Sequence, residues 1–184
     1  MRNLLSTKDQ RQLRLMETLI QNRNWIRLHA LAEKLGCTER ILKNDLNELR
    51  TAFPNIDIQS SVNGIMIDLD VNTSVEDVYQ YFLAHSQSFQ LLEYMFFNEG
   101  LPIYRTIENL HSSSANLYRL GRNITKNLSS QFQIELSFTP TEIHGNEFDI
   151  RYFYAQYFSE RYYFLDWPFP DLPEEDLTEF ADFF

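Results

Sequence analysis

The strongest constraint on the fold of this chain is a short turn with one glycine between two segments of helical periodicity. Apolar residues recur at helical spacing over 28–35, and Gly36 follows directly, as is typical of a helix that ends in the left-handed conformation. Thr38 is a good N-cap, and a second apolar stripe then continues to Phe53, just before a proline. Two helices joined by so short a turn pack across each other. The pattern therefore predicts a helix-turn-helix motif.

The flanking segments complete a unit of five elements. An earlier helical pattern begins after residue 6. The segments 56–59 and 65–69 alternate apolar and polar residues, and Asn63-Gly64 between them is a strong hairpin signal. Helix, short helix, turn, helix and hairpin is the order of a winged helix-turn-helix, which we predict for residues 1–70.

The second helix of this motif has an outer face rich in cations and amides. At about 100° per residue, its apolar positions fall within roughly 60° of one another, and its acids lie outside the opposite arc. Bases and amides anchor phosphates and read base edges, so we interpret this arc as a DNA-contacting face. An ordinary solvated helix face is the alternative, and the wing residues could be selected for turn geometry alone. The predicted contacts are Thr38, Arg40, Lys43, Asn44, Asn47 and Arg50, with Ser60 and Asn63 on the wing.

A second unit of the same order is predicted 75 residues later. One or two helices over 74–98 precede it, strands are predicted at 132–136 and 142–143, and a turn is predicted at 144–146. We assign residues 71–163 to this second helix-turn-helix domain. The matched positions are Leu35 with Leu110, Thr38 with Ser113, Leu42 with Leu117, and Leu49 with Ile124.

The second candidate recognition helix is more basic than the first. Between residues 113 and 131 the sequence has three bases and no acid. Gly121 inside this helix indicates close approach to another backbone or a poorly optimised site. A surface for domain packing or dimerisation is the alternative to DNA contact. The predicted contacts are Ser113, Ser114, Tyr118, Arg119, Arg122 and Lys126.

The last part of the chain is aromatic and then acidic. Seven aromatic residues between 148 and 164 exceed what one short helix buries, and we interpret them as packing between domains rather than as a stacking platform for bases. Residues 164–184 contain three prolines and then begin an amphipathic helix. We interpret them as a linker and the start of a further regulatory domain, so that the chain is the N-terminal part of a longer protein.

Composition excludes several classes of function. With 16 Lys+Arg against 26 Asp+Glu, the net charge is −10, so any nucleic-acid contact requires cations placed locally. The lone Cys37 excludes an internal disulfide, and the histidines lack ligand spacing. No phosphate-binding glycine loop or catalytic constellation occurs, which predicts no enzyme activity, no cofactor, no metal site and no small-molecule site. The absence of a long apolar run predicts a soluble cytoplasmic protein without membrane association.

The segments LHALAEKLGCTERILKNDLNELRTAFPNI and SSSANLYRLGRNITKNL, followed by Trp167-Pro168-Phe169, resemble the Mga-type regulators of Gram-positive bacteria, which are related to AtxA. The resemblance implies a transcriptional regulator, usually an activator and often of virulence, that binds promoter DNA. It also implies C-terminal domains for self-association and for control by the sugar phosphotransferase system. The DNA-contacting role carries over to Arg40, Lys43, Asn44, Asn47, Arg119, Arg122 and Lys126.

The expected fold is mainly α with short β-hairpins, arranged as tandem winged helix-turn-helix domains. The expected function is sequence-directed or shape-directed binding of double-stranded DNA. A winged-helix module for protein interaction or dimerisation, without direct DNA contact, is the alternative. Charge reversal on the second recognition helix distinguishes the two, because it abolishes binding only if that helix contacts DNA.

Overall fold

A computed structural model describes residues 1–69, 74–129, 131–163 and 167–169. These residues form helices and two small antiparallel sheets, which confirms the predicted fold class. The chain divides into two compact units. The N-terminal unit comprises Arg2–Ser86, and the C-terminal unit comprises residue 87 onward together with Met1.

The N-terminal unit has the predicted order of elements and one further helix. Ser6 caps the first helix by accepting the backbone N–H of Asp9 at 3.1 Å, and Thr38 caps the third by accepting that of Ile41 at 3.3 Å. Gly36 in the turn has φ +64°, the left-handed conformation that its position requires. After a single 3-10 turn over Arg2–Leu4, the elements are α1 (Thr7–Asn22), α2 (Leu28–Lys34), α3 (Glu39–Ala52), β1 (Asp57–Ser61), β2 (Gly64–Asp68) and α4 (Val75–His85).

The wing of this unit is a hairpin with a third, short strand. The pairing of Ser61 with Gly64 leaves Val62 and Asn63 as the turn, so the predicted Asn63-Gly64 turn is displaced by one residue. Ile26 exchanges backbone hydrogen bonds with Ile65 at 2.8 and 2.9 Å. A Cβ atom on Gly64 would lie 2.1 Å from the carbonyl oxygen of Ile26, so this close approach explains the glycine.

Helix α4 belongs to the N-terminal compact unit, although the sequence prediction assigns residues 71–163 to the second helix-turn-helix domain. Val78 and Phe82 of α4 are buried, and the rings of Tyr81 and Phe82 lie 4.5 and 6.2 Å from that of Phe53. The division between the compact units falls after Ser86, while the domain bounds 1–70 and 71–163 stay a prediction.

The C-terminal unit repeats the arrangement. The second and third helices begin 75 residues after α2 and α3. His111, at the position that corresponds to Gly36, has φ 44°, and Ser113 caps the following helix by accepting the N–H of Asn116 at 3.2 Å. The elements are α5 (Gln87–Phe97), α6 (Ile103–Asn109), α7 (Ser114–Leu128), β3 (Ile134–Phe138), β4 (Thr141–Gly145) and α8 (Glu147–Tyr162).

The second wing corrects the predicted strand boundaries. Thr139 and Pro140 form its turn, and the predicted turn at 144–146 instead contains the end of β4 and the N-cap of α8. The backbone of Thr141 accepts from the N–H of Gly100 and donates to the carbonyl of Leu101, both at 2.9 Å. The segment before the motif is therefore hydrogen-bonded to the wing in both units, through a β-bridge in the first and through these two bonds in the second.

The buried aromatic residues of α8 pack within their own unit, which corrects the prediction of packing between domains. The Tyr157 hydroxyl donates to the Phe89 carbonyl at 2.8 Å and lies 3.0 Å from a Glu93 carboxylate oxygen. The Tyr154 hydroxyl donates to the Leu92 carbonyl at 3.0 Å. Helix α5 thus covers the aromatic face and provides hydrogen-bond acceptors for its hydroxyls. Of the predicted linker, only 167–169 lie within the described residues.

Candidate nucleic-acid interface

Helix α3 is attached to α1 by a buried polar cluster. Asp45 is 2% exposed, and its carboxylate accepts from Arg11 Nε at 2.6 Å, from Arg11 Nη2 at 3.0 Å and from Gln12 Nε2 at 3.1 Å. The same Gln12 amide nitrogen donates to Glu48 at 2.7 Å, and Lys8 forms an ion pair with Glu48. Two of the three acids of α3 are therefore paired with α1 rather than presented on the outer face.

The pKa directions agree with this pairing. Hydrogen bonds from Lys8 and then Gln12 lower the pKa of Glu48, so this carboxylate stays ionised. The hydrogen bond to Asp45 raises the pKa of Arg11. Sequence reasoning placed Asp45 and Glu48 beside the core stripe but did not identify their partners, because Arg11 lies 34 residues from Asp45.

Three predicted contact residues form the free outer face of α3. Arg40, Lys43 and Asn44 are exposed, and their side chains make no hydrogen bond or ion pair with the described part of the chain. Each can therefore contact a ligand without first losing an internal interaction. A cation, a second cation and an amide within two turns are the groups that bind phosphate oxygens and base edges.

Other predicted residues on α3 and its wing have structural contacts. Arg50 donates from Nε to the Ile58 carbonyl at 2.9 Å, from Nη2 to the Ser60 hydroxyl, and from Nη1 to Asn47 Oδ1 at 3.2 Å. These bonds connect α3 to β1. Thr38 is the N-cap described above, and Asn63 lies exposed in the hairpin turn.

The predicted contacts on α7 also differ in their surroundings. Ser113 is the N-cap, Ser114 is the first exposed residue of the helix, and the Tyr118 ring packs edge-on against Phe138 with centroids 5.1 Å apart. Arg119 donates from Nη2 to Asn116 Oδ1 at 2.7 Å.

Arg122 and Lys126 are exposed on α7, and their side chains make no hydrogen bond or ion pair among the residues that the structure describes. Both line a groove of about 350 Å³ between α7 and β3. Glu135 contributes one carboxylate to the groove. The remaining lining residues are Tyr118, Gly121, Thr125, Leu136 and Phe138.

Gly121 allows α7 to approach the second wing closely. A Cβ atom at this position would lie 2.7 Å from Phe138 Cε2 and 3.0 Å from Phe138 Cζ. The close approach is thus to an aromatic side chain, whereas the sequence suggested a neighbouring backbone or a poorly optimised site.

Other kinds of site find little support in the described ranges. These contain no group of three or more His, Cys, Asp or Glu side chains that could hold a metal ion. Burial raises the pKa of the Cys37 thiol, which disfavours the reactive thiolate. None of the described helices is long and apolar enough to cross a membrane.

The two units together define a class of protein. Each has a capped second helix of a helix-turn-helix, a wing that is hydrogen-bonded to the segment before the motif, and outer-face cations whose side chains have no partner among the described residues. This is the tandem winged helix-turn-helix architecture of a transcriptional regulator.

Comparison with known families identifies which regulators these are. Residues 6–65 match the M protein trans-acting positive regulator (MGA) HTH domain, and residues 71–158 match the Mga helix-turn-helix domain. The chain belongs to the Mga family of transcriptional regulators, which confirms the resemblance and the expectation that it is not an enzyme.

Two curated relatives are described as regulators. The chain is 47% identical over 156 residues to the "Putative trans-acting regulator" of Streptococcus pneumoniae serotype 4, covering 85% of the chain and 32% of that relative. It is 23% identical over 152 residues to the capsule synthesis positive regulator AcpA of Bacillus anthracis, covering 79% of the chain and 30% of that relative. The chain thus spans about a third of the length of these relatives.

Proposed function

We propose that the chain binds double-stranded promoter DNA through both winged helix-turn-helix units, as the DNA-binding part of a transcriptional regulator. The observation that carries the proposal is the separation of charge on α3. Two of its three acids, Asp45 and Glu48, are paired with α1, while the outer-face side chains of Arg40, Lys43 and Asn44 have no partner among the described residues.

This separation explains how a chain of net charge −10 can bind a polyanion. Phosphate attraction falls off over about 8 Å at physiological ionic strength, so cations at the interface count for more than acids elsewhere. The free Arg122 and Lys126 give α7 the same local character. Because promoter DNA is the ligand, the proposal places the protein in the cytoplasm.

The experiment is an electrophoretic mobility shift of mixed-sequence duplex DNA across a salt series with residues 1–184. The test variants are Arg40→Glu/Lys43→Glu on α3 and Arg122→Glu/Lys126→Glu on α7. The matched control is Arg14→Glu/Arg23→Glu, which reverses two exposed cations that have no partner among the described residues.

We expect both test variants to lose binding and the control to retain most of it. Equal losses in all three would show that only net charge matters and would contradict a defined interface. Failure of the parent chain to bind duplex DNA at low salt would contradict the proposal and favour a protein-interaction module.

A further inference from the structure

We propose that the two recognition helices divide the recognition of DNA. Helix α3 reads base edges, whereas α7 holds the phosphodiester backbone in the groove between itself and β3. This inference rests on the proposed function and assigns a separate role to each of its two helices.

The first argument is the position of the free polar groups along each helix. The N-terminal residues of a recognition helix are those that reach base edges in the major groove. In α3 these turns carry the free Arg40, Lys43 and Asn44. The positions of Arg40 and Lys43 correspond, 75 residues later, to Ala115 and Tyr118, and neither has a charge or an amide.

The second argument is that the one amide in the first turns of α7 is already engaged. The Asn116 side chain donates to the Ser112 hydroxyl at 2.9 Å and lies 3.3 Å from the Gln87 amide oxygen. Its own oxygen accepts from Arg119 at 2.7 Å. Reading a base with Asn116 would require breaking these bonds, and Arg119 is held against Asn116 by one of its five N–H donors, whereas the Asn44 side chain can bind a base directly.

The third argument is the space between each helix and its wing. In the N-terminal unit Arg50 spans this space and donates to the Ile58 carbonyl and the Ser60 hydroxyl of β1. The corresponding residue of α7 is the shorter Thr125, and here the groove of about 350 Å³ remains open. The second unit therefore has an open groove at the place that the Arg50 side chain fills in the first unit.

The chemistry of this groove suits a phosphodiester. Arg122 and Lys126 supply two cations, and Thr125 supplies a hydroxyl, all of which are common phosphate ligands. The Glu135 carboxylate also lines the groove and repels a phosphate, so it lowers the affinity of the groove for the phosphodiester. These contacts carry no sequence information, because every nucleotide presents the same phosphate.

The test compares a preferred duplex, selected by residues 1–184 from a random pool, with a scrambled duplex of equal length and composition. Affinities of Arg40→Ala/Asn44→Ala and Arg122→Ala/Lys126→Ala are measured for both duplexes across a salt series. Circular dichroism confirms that each variant is folded, and Glu135→Gln provides an independent change in the groove.

We expect Arg122→Ala/Lys126→Ala to weaken both duplexes by the same factor, of about ten-fold or more. Because each phosphate contact contributes about 0.9 to the salt slope, the slope should decrease by roughly 2. Glu135→Gln should strengthen both duplexes equally. Arg40→Ala/Asn44→Ala should weaken the preferred duplex about ten-fold to a hundred-fold more than the scrambled one.

The inference is overturned if the α7 variant changes the ratio between the duplexes, or if it leaves affinity and salt slope unchanged while the parent binds. In both cases DNA binding by the parent would preserve the proposed function. Failure of the parent to bind either duplex would instead contradict the proposed function, and this inference with it.

Discussion

The Arg11–Asp45 pair provides the sharpest test of how the first recognition helix is held. Asp45→Ala removes an acceptor that is 2% exposed and receives three hydrogen bonds. Removing one partner of a buried ion pair costs about 3–5 kcal/mol, because the other charge is left without compensation. The Arg11 side chain is 20% exposed and can be partly rehydrated, so we expect the lower end, about 3 kcal/mol.

The assay is urea unfolding followed by tryptophan fluorescence. The chain has one tryptophan in each compact unit, Trp25 and Trp167, so a Trp167→Phe background reports on the N-terminal unit alone. With an m value of about 2 kcal/mol per M, a loss of about 3 kcal/mol lowers the midpoint by about 1.5 M.

The control replaces the whole pair. The position of Asp45 is taken in the C-terminal unit by the buried Leu120, which shows that this fold accepts a leucine there. Arg11→Met/Asp45→Leu should therefore unfold within about 1 kcal/mol of the parent, since a buried pair and a well-packed apolar pair are often equivalent. A loss below about 1 kcal/mol for Asp45→Ala would refute the view that this pair holds α3.

Three further outcomes follow from the structure. Gly64→Ala should destabilise the N-terminal unit by more than about 1 kcal/mol in the same urea assay, because its Cβ would lie 2.1 Å from the Ile26 carbonyl oxygen at φ +125°; an unchanged midpoint would contradict the close approach. Gly121→Ala should cost about 1–3 kcal/mol through overpacking against Phe138, and Phe138→Leu should restore part of it, as measured by thermal unfolding; no rescue would locate the strain elsewhere. Burial raises the pKa of Tyr157 above its ordinary value of 10.0, so the stability that this group contributes is complete below about pH 10 and is lost as the pH rises further. Unfolding followed by circular dichroism above pH 10 should therefore depend less steeply on pH in Tyr157→Phe, and an identical dependence would contradict this assignment.

Local signals in the sequence were sufficient for most helices. Thr38 is predicted as an N-cap and is one, because a capping hydroxyl acts on a backbone N–H three residues away, and Ser113 at the matched position is also a cap. The predicted strand 132–136 differs from the observed β3, because apolar residues alternate from Phe132 to Phe138 and mark no strand boundary. The Thr139-Pro140 turn was overlooked in favour of the more conspicuous His144-Gly145-Asn146.

Contacts between residues that lie far apart in the chain could not be predicted from the sequence. Helix α4 joins the N-terminal unit through contacts such as that of Tyr81 with Phe53, which no local pattern encodes. The charge count of α3 is neutral, and only its packing against Arg11 and Gln12 shows that Asp45 is directed inward. The candidate residues were therefore identified by type and spacing, while their availability depends on tertiary contacts.

The positions at which the repeated units differ carry more functional information than those at which they agree. Shared positions, such as the caps Thr38 and Ser113, serve folding and would be retained in a duplicated domain with any role. At the position of Arg50, by contrast, the C-terminal unit has Thr125. The hydrogen bonds from Arg50 to the wing therefore have no counterpart there, and an open groove lies beside Arg122. One fold thus presents a closed, polar helix end in the first unit and an open, cationic groove in the second, and the proposed division of roles depends on this difference.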